Sequence, residues 1–309
     1  MANAARKPEP RQQFDMEDRA ARVAFATYDA RPDSTDDDGL LADALSARGA
    51  VVHAIPWSDA SARWAAYDAV IVRSCWDYFL RADEFHAWLD RLERDGARVM
   101  NDVRTLRWNA DKRYLRELAE RGVPIVPTWW LDRANAVSLG ELRRRTGWSE
   151  LVVKPTVSGG AHRTWRADPD AAPDDEARLA TMIGEGAVMV QPLLAEIERE
   201  GEWSLLFFAG EYSHAVLKRP RAGDFRVQHD HGGSMERVEP SVGMIAEAKR
   251  VLDAIPAGAE PPLYARVDGC VVDGELLLME LEVLEPELFL RCAPHAPARL
   301  AELLVARLA

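Results

Sequence analysis

Residues 264–283 constrain the fold of this chain more than any other stretch, because they predict a β-hairpin with one strand that is apolar on both faces. They read Tyr-Ala-Arg-Val-Asp-Gly-Cys-Val-Val-Asp-Gly-Glu-Leu-Leu-Leu-Met-Glu-Leu-Glu-Val, with Asp273 and Gly274 at the turn. A strand that is apolar on both faces is typically covered on both sides. Glu280 and Glu282 near its end are expensive to bury unless a cation or a hydrogen-bond donor compensates them.

The register of this hairpin decides whether its acids meet. A two-residue turn places Asp268 opposite Met279, so that the carboxylates point to opposite faces. A three-residue loop places Asp268 opposite Glu280 and Arg266 opposite Glu282. We predict the longer loop or an equivalent bulge, because three converging carboxylates and an arginine form a suitable cage for Mg²⁺. A surface strand with solvated acids is the alternative.

The rest of the chain divides into two units, as expected for 309 residues at about 150 residues per domain. Strands alternate with helices over residues 20–105, which predicts a parallel α/β sheet. The chain beyond is strand-rich and α+β in character, and residues 1–19 are predicted to be a disordered tail. We predict strands at 22–27, 50–55, 69–73, 97–100, 148–154, 188–191, 202–208, 211–217, 264–272 and 275–283, and helices at 39–48, 83–94 and 106–121.

Charge and composition limit the partners. Lys plus Arg is 39 and Asp plus Glu is 51, so the net charge is −12. This charge repels phosphate backbones and disfavours nucleic-acid or anionic-membrane partners. No stretch approaches the roughly 20 apolar residues of a membrane span, and Cys75, Cys270 and Cys292 suit a reducing compartment. We predict a cytoplasmic protein with a small-molecule substrate; a homodimer is one option for the oligomeric state.

Several common functional motifs are missing from the sequence. There is no P-loop, no Gly-x-Gly-x-x-Gly fingerprint and no Gly-x-Ser-x-Gly elbow. His229 and His231 are the nearest approach to a transition-metal pair, and without a nearby thiol or third histidine they do not favour a metal site.

Three lysines and a glycine-rich loop indicate a phosphate site. Lys154 ends a strand and precedes Ser158, Gly159 and Gly160, so its ammonium and several backbone N–H groups can surround phosphate oxygens. Lys218 also ends an apolar run, and Lys112 lies on the helix that opens the second unit. Each alone is typical of a solvated surface lysine; their combination beside an acidic cage is more specific.

A nucleotide is also suggested by the tract 188–194. The backbone of this tract, which contains Gln191, Pro192 and Leu193, could offer a free donor and acceptor to adenine, with Glu202 available for ribose hydroxyls.

Taken in chain order, these lysines, the glycine loop and the hairpin acids resemble the ATP-grasp superfamily of carboxylate–amine ligases, over about residues 105–292. The chain is similar to the glutathione-synthetase-like branch, including the cyclo-ligases that close O-ureido-D-serine into cycloserine. The matching segments are Asn109-Ala-Asp-Lys112, Val153-Lys154-Pro155 with the glycine loop, Val190-Gln191-Pro-Leu193, Gly201-Glu202-Trp-Ser204, Lys218, Gly223-Asp-Phe-Arg226 with Gly232-Gly233, Arg266-Val-Asp268 and Glu280-Leu-Glu282.

The resemblance implies an N-terminal α/β substrate domain (20–105) before a two-subdomain ATP-grasp fold, with a central lid subdomain (106–190) and a C-terminal subdomain (191–309). It implies ATP and Mg²⁺, with two ions, as cofactors. Many relatives have asparagine where this chain has Glu282, and their Asn-x-x-Pro ending is replaced here by Glu282-Val-Leu-Glu285-Pro286. The implied ligands are Lys112, Lys154 and Lys218 for the ATP phosphates, Pro192 and Leu193 for adenine, Glu202 for ribose, and Asp268, Glu280 and Glu282 for Mg²⁺.

The implied reaction activates a small amino-acid-like carboxylate as an acyl phosphate, which a nitrogen nucleophile then attacks to form a C–N bond with release of ADP and phosphate. Arg266 is the candidate to stabilise the acyl phosphate and the oxyanion. Three alternatives stay open: an intramolecular cyclo-ligase, an ATP-binding sensor without turnover, and a non-catalytic interaction protein.

Specificity is expected to come partly from the first unit. Arg73, Trp76, Asp77 and Tyr78 lie at the end of a predicted parallel strand, where ligands of open α/β sheets bind. Arg73 could pair a substrate carboxylate and Asp77 an amino group, with Trp76 and Tyr78 as walls. The alternative is that the two aromatic residues pack against the following helix. Arg226 could reach the phosphate or the substrate.

Overall fold

A computed structural model describes residues 20–168, 172–221, 226–227, 232–256 and 260–308. The predicted tail 1–19, the motif residues 223–225, and His229 and His231 lie outside the described residues. No helix in these ranges is both long and apolar enough to cross a bilayer.

The first unit is the parallel sheet that the alternating pattern predicts. One face is covered by α2, which buries Phe85, Trp88, Leu89 and Leu92 at the spacing of a single helical face. Its elements are β1 (Arg22–Thr27), α1 (Asp36–Ser46), β2 (Val51–Pro56), β3 (Ala69–Val72), α2 (Ala82–Arg94) and β4 (Val99–Met100). The strand order is β2-β1-β3-β4, and all pairs are parallel.

The single helix predicted at 106–121 is wrong, because the structure has two, α3 (Val103–Asn109) and α4 (Tyr114–Glu120). Between them the Asn109 amide binds the Leu281 carbonyl and the Val283 N–H, at 2.7 and 2.9 Å. The Lys112 N–H donates to the Thr156 carbonyl at 2.8 Å. These long-range bonds replace the helical ones and bring Lys112 to the glycine loop.

The second sheet forms a separate antiparallel layer with the order β5-β8-β6-β7. The predicted boundary between residues 190 and 191 falls inside β8, which pairs with β6 as far as Pro192. The elements are β5 (Trp129–Leu131), α5 (Leu139–Thr146), β6 (Leu151–Pro155), β7 (Trp165–Ala167), α6 (Ala172–Glu185) and β8 (Val188–Pro192).

The third sheet has the order β11-β10-β9-β12-β13 and is antiparallel throughout. The predicted strands 202–208 and 264–272 agree with β9 and β12. The elements are α7 (Ala195–Arg199), β9 (Glu202–Phe208), β10 (Glu211–Arg219), β11 (Ser234–Val238), α8 (Val242–Asp253), β12 (Tyr264–Val272), β13 (Glu275–Glu282) and α9 (Ala296–Leu308).

The first and third sheets share one hydrophobic core, which α9 completes. Phe25 of β1, Phe208 of β9, Leu45 of α1 and Leu300 and Leu304 of α9 are all buried in the same cluster. The final helix therefore covers the face of the first sheet that α2 leaves open. The Tyr264 hydroxyl of β12 donates to the Val72 carbonyl at 2.7 Å and holds the carboxyl end of β3 against the third sheet.

Candidate active site

The hairpin β12–β13 brings its acids together through a bulge. A two-residue turn pairs Val272 with Glu275, so the longer loop is wrong, but a register shift after Asp268 leaves Met279 unpaired. As a result Asp268 lies opposite Glu280 and Arg266 opposite Glu282, as the predicted bulge requires. A Cβ on Gly269 would come within 2.6 Å of the Leu277 carbonyl oxygen, so the bulge depends on glycine there.

Arg266 is the centre of the buried charges on this hairpin. Its Nε lies 3.0 and 2.9 Å from the two Asp268 oxygens, and its Nη2 lies 2.5 Å from Glu282. Burial alone would lower the pKa of Arg266, but the adjacent carboxylates outweigh it and raise that pKa. Asp268 is 2% exposed, which excludes the alternative of a solvated surface acid.

The carboxylates outnumber the cations that neutralise them within the hairpin. Burial raises the pKa of Glu282 well above its usual range; Glu280, Asp268 and Glu285 add to the rise, and Arg266 opposes it. Asp268 has a lowered pKa: burial would raise it, but Arg266, Lys218 and the Ser204 hydroxyl overcome that effect. The described residues contain no group of three or more acid, histidine or cysteine side chains already gathered as metal ligands.

The three predicted lysines surround this hairpin, although they come from three different parts of the chain. Lys112 Nζ lies 3.1 Å from Glu280 Oε1 and donates to the Ser158 carbonyl. Lys218 Nζ lies 2.5 Å from Glu202 and 3.5 Å from Asp268. Burial opposes the charge on Lys218, but Asp268 and Glu202 outweigh it and raise the Lys218 pKa.

Lys154 differs from the other two lysines because its ammonium has no hydrogen-bond or ion-pair partner among the described residues. Burial lowers its pKa and the like charge of Lys112 lowers it further, against the attraction of Glu280 and Glu202. An ammonium in this position gains its missing partner from an anion, and phosphate oxygens are suitable.

The glycine-rich loop lies between Lys112 and the first unit. Ser158 is 4% exposed, and its hydroxyl lies 3.4 Å from Lys112 Nζ. A Cβ on Gly159 would lie 3.0 Å from the Phe79 ring, and Gly160 has a φ of +55°. Phe79 also contacts the His162 ring at 5.1 Å between centroids. Sequence reasoning missed Phe79, because no local pattern distinguishes it from a core aromatic residue.

The last two residues of the tract proposed for adenine, 193 and 194, differ in whether their N–H groups are engaged. The Leu193 N–H donates to the Glu150 carbonyl at 3.0 Å, whereas the N–H of Leu194 has no partner in the described ranges. The Gln191 side chain is buried and donates to the Thr128 hydroxyl at 2.8 Å. Burial raises the pKa of Glu202 despite its ion pair with Lys218.

Arg73 follows the end of β3 as predicted, but its side chain contacts the protein itself. It is 2% exposed; its Nε lies 2.7 Å from Asp38 and its Nη2 donates to the Pro286 carbonyl at 2.9 Å. Its Nη1 is buried without a hydrogen-bond partner. The guanidinium therefore holds Asp38 and the Pro286 carbonyl, and its role toward substrate stays a prediction.

The other predicted substrate residues of the first unit are also engaged by the protein. Asp77 accepts from Trp57 Nε1 at 2.7 Å and from Arg81 at 2.5 Å. Tyr78 is buried among aromatic side chains including Phe85 of α2. This agrees with the alternative in which Tyr78 packs against the following helix. Trp76 is half-buried and donates from Nε1 to the Glu285 carbonyl at 3.2 Å. Arg226 is half-buried, and most of its motif lies outside the described residues.

Comparison of the chain with known proteins identifies its family. The sequence model of DcsG_N, described as the N-terminal domain of D-cycloserine synthetase DcsG, matches residues 23–101. The chain is 30% identical to cycloserine biosynthesis protein DcsG of Streptomyces lavendulae over 87% of this chain and 92% of that one. It is 26% identical to D-alanine–D-alanine ligase of Bradyrhizobium sp. (strain ORS 278), over 56% of this chain and 43% of that one.

Solved structures support the same family assignment. The crystal structure of D-cycloserine synthetase DcsG matches with a TM-score of 0.84 and 30% identity, covering 94% of this chain and all of that one (100%). The ATP complex of D-alanine–D-alanine ligase from Bacillus anthracis shares the fold, with a TM-score of 0.66 and 17% identity over 94% of this chain and 97% of that one. The chain therefore belongs to the DcsG family of ATP-grasp enzymes, and it is an ATP-dependent ligase that forms carbon–nitrogen bonds.

Proposed function

We propose that this ligase is an intramolecular cyclo-ligase of the cycloserine-synthetase type, with O-ureido-D-serine as substrate. The observation that carries the proposal is the 30% identity over 92% of DcsG, which includes the first unit. The D-alanine–D-alanine ligase match covers only 43% of that enzyme. Because ligands of open α/β sheets bind at strand ends in such a unit, its likeness to DcsG supports a similar substrate.

In the proposed complex, the phosphates of ATP lie between the second and third sheets. Lys154 supplies the ammonium that the protein leaves unpaired, and Lys112 and Lys218 lie on either side of the hairpin acids. The glycine loop adds backbone N–H groups from residues 158–160. In this arrangement the unpartnered Leu194 N–H donates to adenine and Glu202 accepts from the ribose hydroxyls.

Asp268, Glu280 and Glu282 fit Mg²⁺ by the chemistry of their donors, since all three offer carboxylate oxygens and two of them are partly exposed. Burial raises the Glu282 pKa most, and repulsion from Glu280, Asp268 and Glu285 adds to the rise; a divalent cation would relieve that repulsion. When bound, Mg²⁺ would neutralise phosphate charge and orient the transferred group.

The chemistry then follows from positioning and charge. The γ-phosphoryl group passes from ATP to the substrate carboxylate, giving an acyl phosphate and ADP. The oxygen-bound nitrogen of the ureido group attacks the carbonyl carbon, the new C–N bond closes the ring, and phosphate leaves. Arg266 lies beside the acids and stabilises the oxyanion. Hydrolysis of the remaining carbamoyl group, to carbon dioxide and ammonia, completes cycloserine.

The test incubates the protein with Mg·ATP and O-ureido-D-serine and measures cycloserine by mass and nucleotide by chromatography. We expect cycloserine, ADP and phosphate without a second amine. A requirement for an added amine would identify a two-substrate ligase. AMP and pyrophosphate would exclude the acyl phosphate, and tight ATP binding without turnover would favour the sensor alternative.

A further inference from the structure

Glu285 lies on a segment whose backbone is held at four successive carbonyls by side chains from other parts of the fold. The Leu284 carbonyl accepts from Tyr264 at 3.3 Å and the Glu285 carbonyl accepts from Trp76 at 3.2 Å. The next two carbonyls accept from Arg73 at 2.9 Å and from Arg266 at 3.0 Å. Arg73 and Trp76, which the sequence suggested for substrate binding, therefore position this segment.

The Glu285 carboxylate, in contrast, makes no ion pair with any residue that the structure describes, and its hydrogen bond is to its own backbone N–H. It is half-buried. Three charged groups act on it, namely Lys112, Glu280 and Arg266, and it acts in turn on Glu282, Cys75, Tyr78 and Tyr264. The hydrogen bonds from Arg73 and Trp76 to this segment, and the one from Arg266 two residues further on, place Glu285 between the end of β3 and the hairpin acids.

Each of the other acids around Glu285 already contacts a cation. Asp268 and Glu282 contact Arg266, Glu280 contacts Lys112, and Glu202 contacts Lys218. An ion-paired carboxylate is a weaker proton acceptor than the same group without a cation, because the cation stabilises its charged form. Burial raises the pKa of Glu285 to about 7; Glu280 adds to this, and Lys112 opposes it. Such a group gains and loses protons at neutral pH.

Ring closure needs a proton acceptor, because the attacking nitrogen carries a hydrogen that it must lose as the C–N bond forms. We infer that Glu285 is this acceptor. The step rests on the proposed function: the nitrogen lone pair forms the bond to the acyl carbon, the C–O bond to phosphate breaks, and the N–H proton moves to the Glu285 carboxylate. Phosphate leaves with the bonding electrons, and the glutamic acid returns its proton to solvent.

The experiment compares the wild-type protein with Glu285→Gln, Glu285→Asp and the control Glu287→Gln, whose side chain pairs with Arg291 on the surface. Each is given Mg·ATP and O-ureido-D-serine, with and without hydroxylamine. Hydroxylamine is an uncharged nucleophile at neutral pH, so it captures an acyl phosphate as hydroxamate without a protein base. Ring closure and hydroxamate formation therefore report two different steps.

We expect Glu285→Gln to slow ring closure by about 10²–10⁴-fold, the usual effect of a general base, while hydroxamate formation stays within about twofold of wild type. The wild-type rate of closure should rise with pH through the range near 7 in which Glu285 loses its proton, and Glu285→Gln should lose that rise. Glu285→Asp should keep the pH dependence at a reduced rate, and Glu287→Gln should match wild type.

Ring closure and its pH dependence left intact in Glu285→Gln would overturn the assignment. So would an equal loss of hydroxamate and ring closure, because Glu285 would then act before the nucleophile does. A rise in KM alone would assign Glu285 to substrate binding. A wild-type protein that forms neither hydroxamate nor ADP would contradict the proposed function itself, which separates the two failures. Thermal melting and ATP binding confirm that each variant is folded.

Discussion

The end of β3 and the end of the β12–β13 hairpin both place arginine beside aspartate, yet their charges are balanced differently. At the end of β3, Arg73 pairs with the buried Asp38 and Asp77 pairs with Arg81. On the hairpin, Arg266 is shared by Asp268 and Glu282. The first region neutralises its own charges, whereas the second carries more carboxylates than its own cation can neutralise.

This difference separates charge that holds a fold from charge that binds a ligand. In a buried one-to-one pair such as Arg73–Asp38, each charge already has its counter-charge within the protein. A cluster with excess charge, next to an ammonium without a partner such as Lys154, is stabilised when a cation and an anion arrive together. Mg·ATP is such a combination.

Arg73→Met should have the largest effect on stability. It leaves Asp38 buried without its cation, and removing one partner of a buried pair costs about 3–5 kcal/mol of unfolding free energy. Urea denaturation measures this loss. Asp38→Asn combined with Arg73→Met should recover part of it, because no unpaired charge remains. A stable Arg73→Met protein with a raised KM would instead return Arg73 to the substrate site.

Lys154→Met should leave the free energy of unfolding unchanged or raise it, because burial disfavours the ammonium in the folded protein. The same substitution should lower ligase activity severely. Losing one preorganised charge at a phosphoryl group typically lowers turnover by about 10²–10³-fold. ADP release under saturating substrate measures this effect. Lys249→Met is the matched control, since Lys249 is exposed and donates only to the Gly210 carbonyl. Equal activities of the two variants would remove Lys154 from the ATP site.

Gly269→Ala tests whether the bulge aligns the hairpin acids. The new methyl group would meet the Leu277 carbonyl, and overpacking of this kind costs about 1–3 kcal/mol. We expect a lower melting temperature together with weaker Mg·ATP binding, measured by calorimetry. Gly243→Ala is the control, because its Cβ would lie in a helix with only Ser241 Oγ at 3.7 Å. Stability lost without any change in binding would show that the acids do not depend on the bulge.

Arg219→Ala should have the smallest effect. Its ion pair with Glu236 lies on the same sheet as the hairpin but is 44% and 56% exposed. Exposed pairs contribute about 0–1 kcal/mol, so thermal melting should change little. A loss as large as that of Arg73→Met would show that burial does not separate these two kinds of pair.

The sequence predicted the hairpin because its information is local. Period-two alternation and spacing within 20 residues were enough to place Asp268 opposite Glu280, although the turn length was wrong and the bulge at Gly269 supplied the register. The order of the lysines and acids was also enough to indicate the family, although Mg²⁺ and the individual site roles stay predictions.

The sequence could not predict the role of Arg73, because its partners are distant in the chain. Asp38 lies 35 residues away and Pro286 lies 213 residues away. No spacing rule connects them, and an arginine at a strand end resembles a ligand-binding residue whether or not an acid from another element reaches it first. Glu285 was missed for the same reason, because the groups around it come from distant parts of the chain: Trp76 after β3, Lys112 before α4, and Arg266 and Glu280 on the hairpin.

The packing of α9 on α1 and the first sheet has a consequence for how the protein is made. While the ribosome is still translating the middle of the chain, the first unit is complete in sequence but lacks the helix that covers Leu45 and Phe25. The nascent sheet must keep an apolar face exposed until residues 296–308 emerge. A stop codon or frameshift just before α9 would therefore yield a chain with all the catalytic groups named above, yet one prone to aggregation and open to cellular proteases.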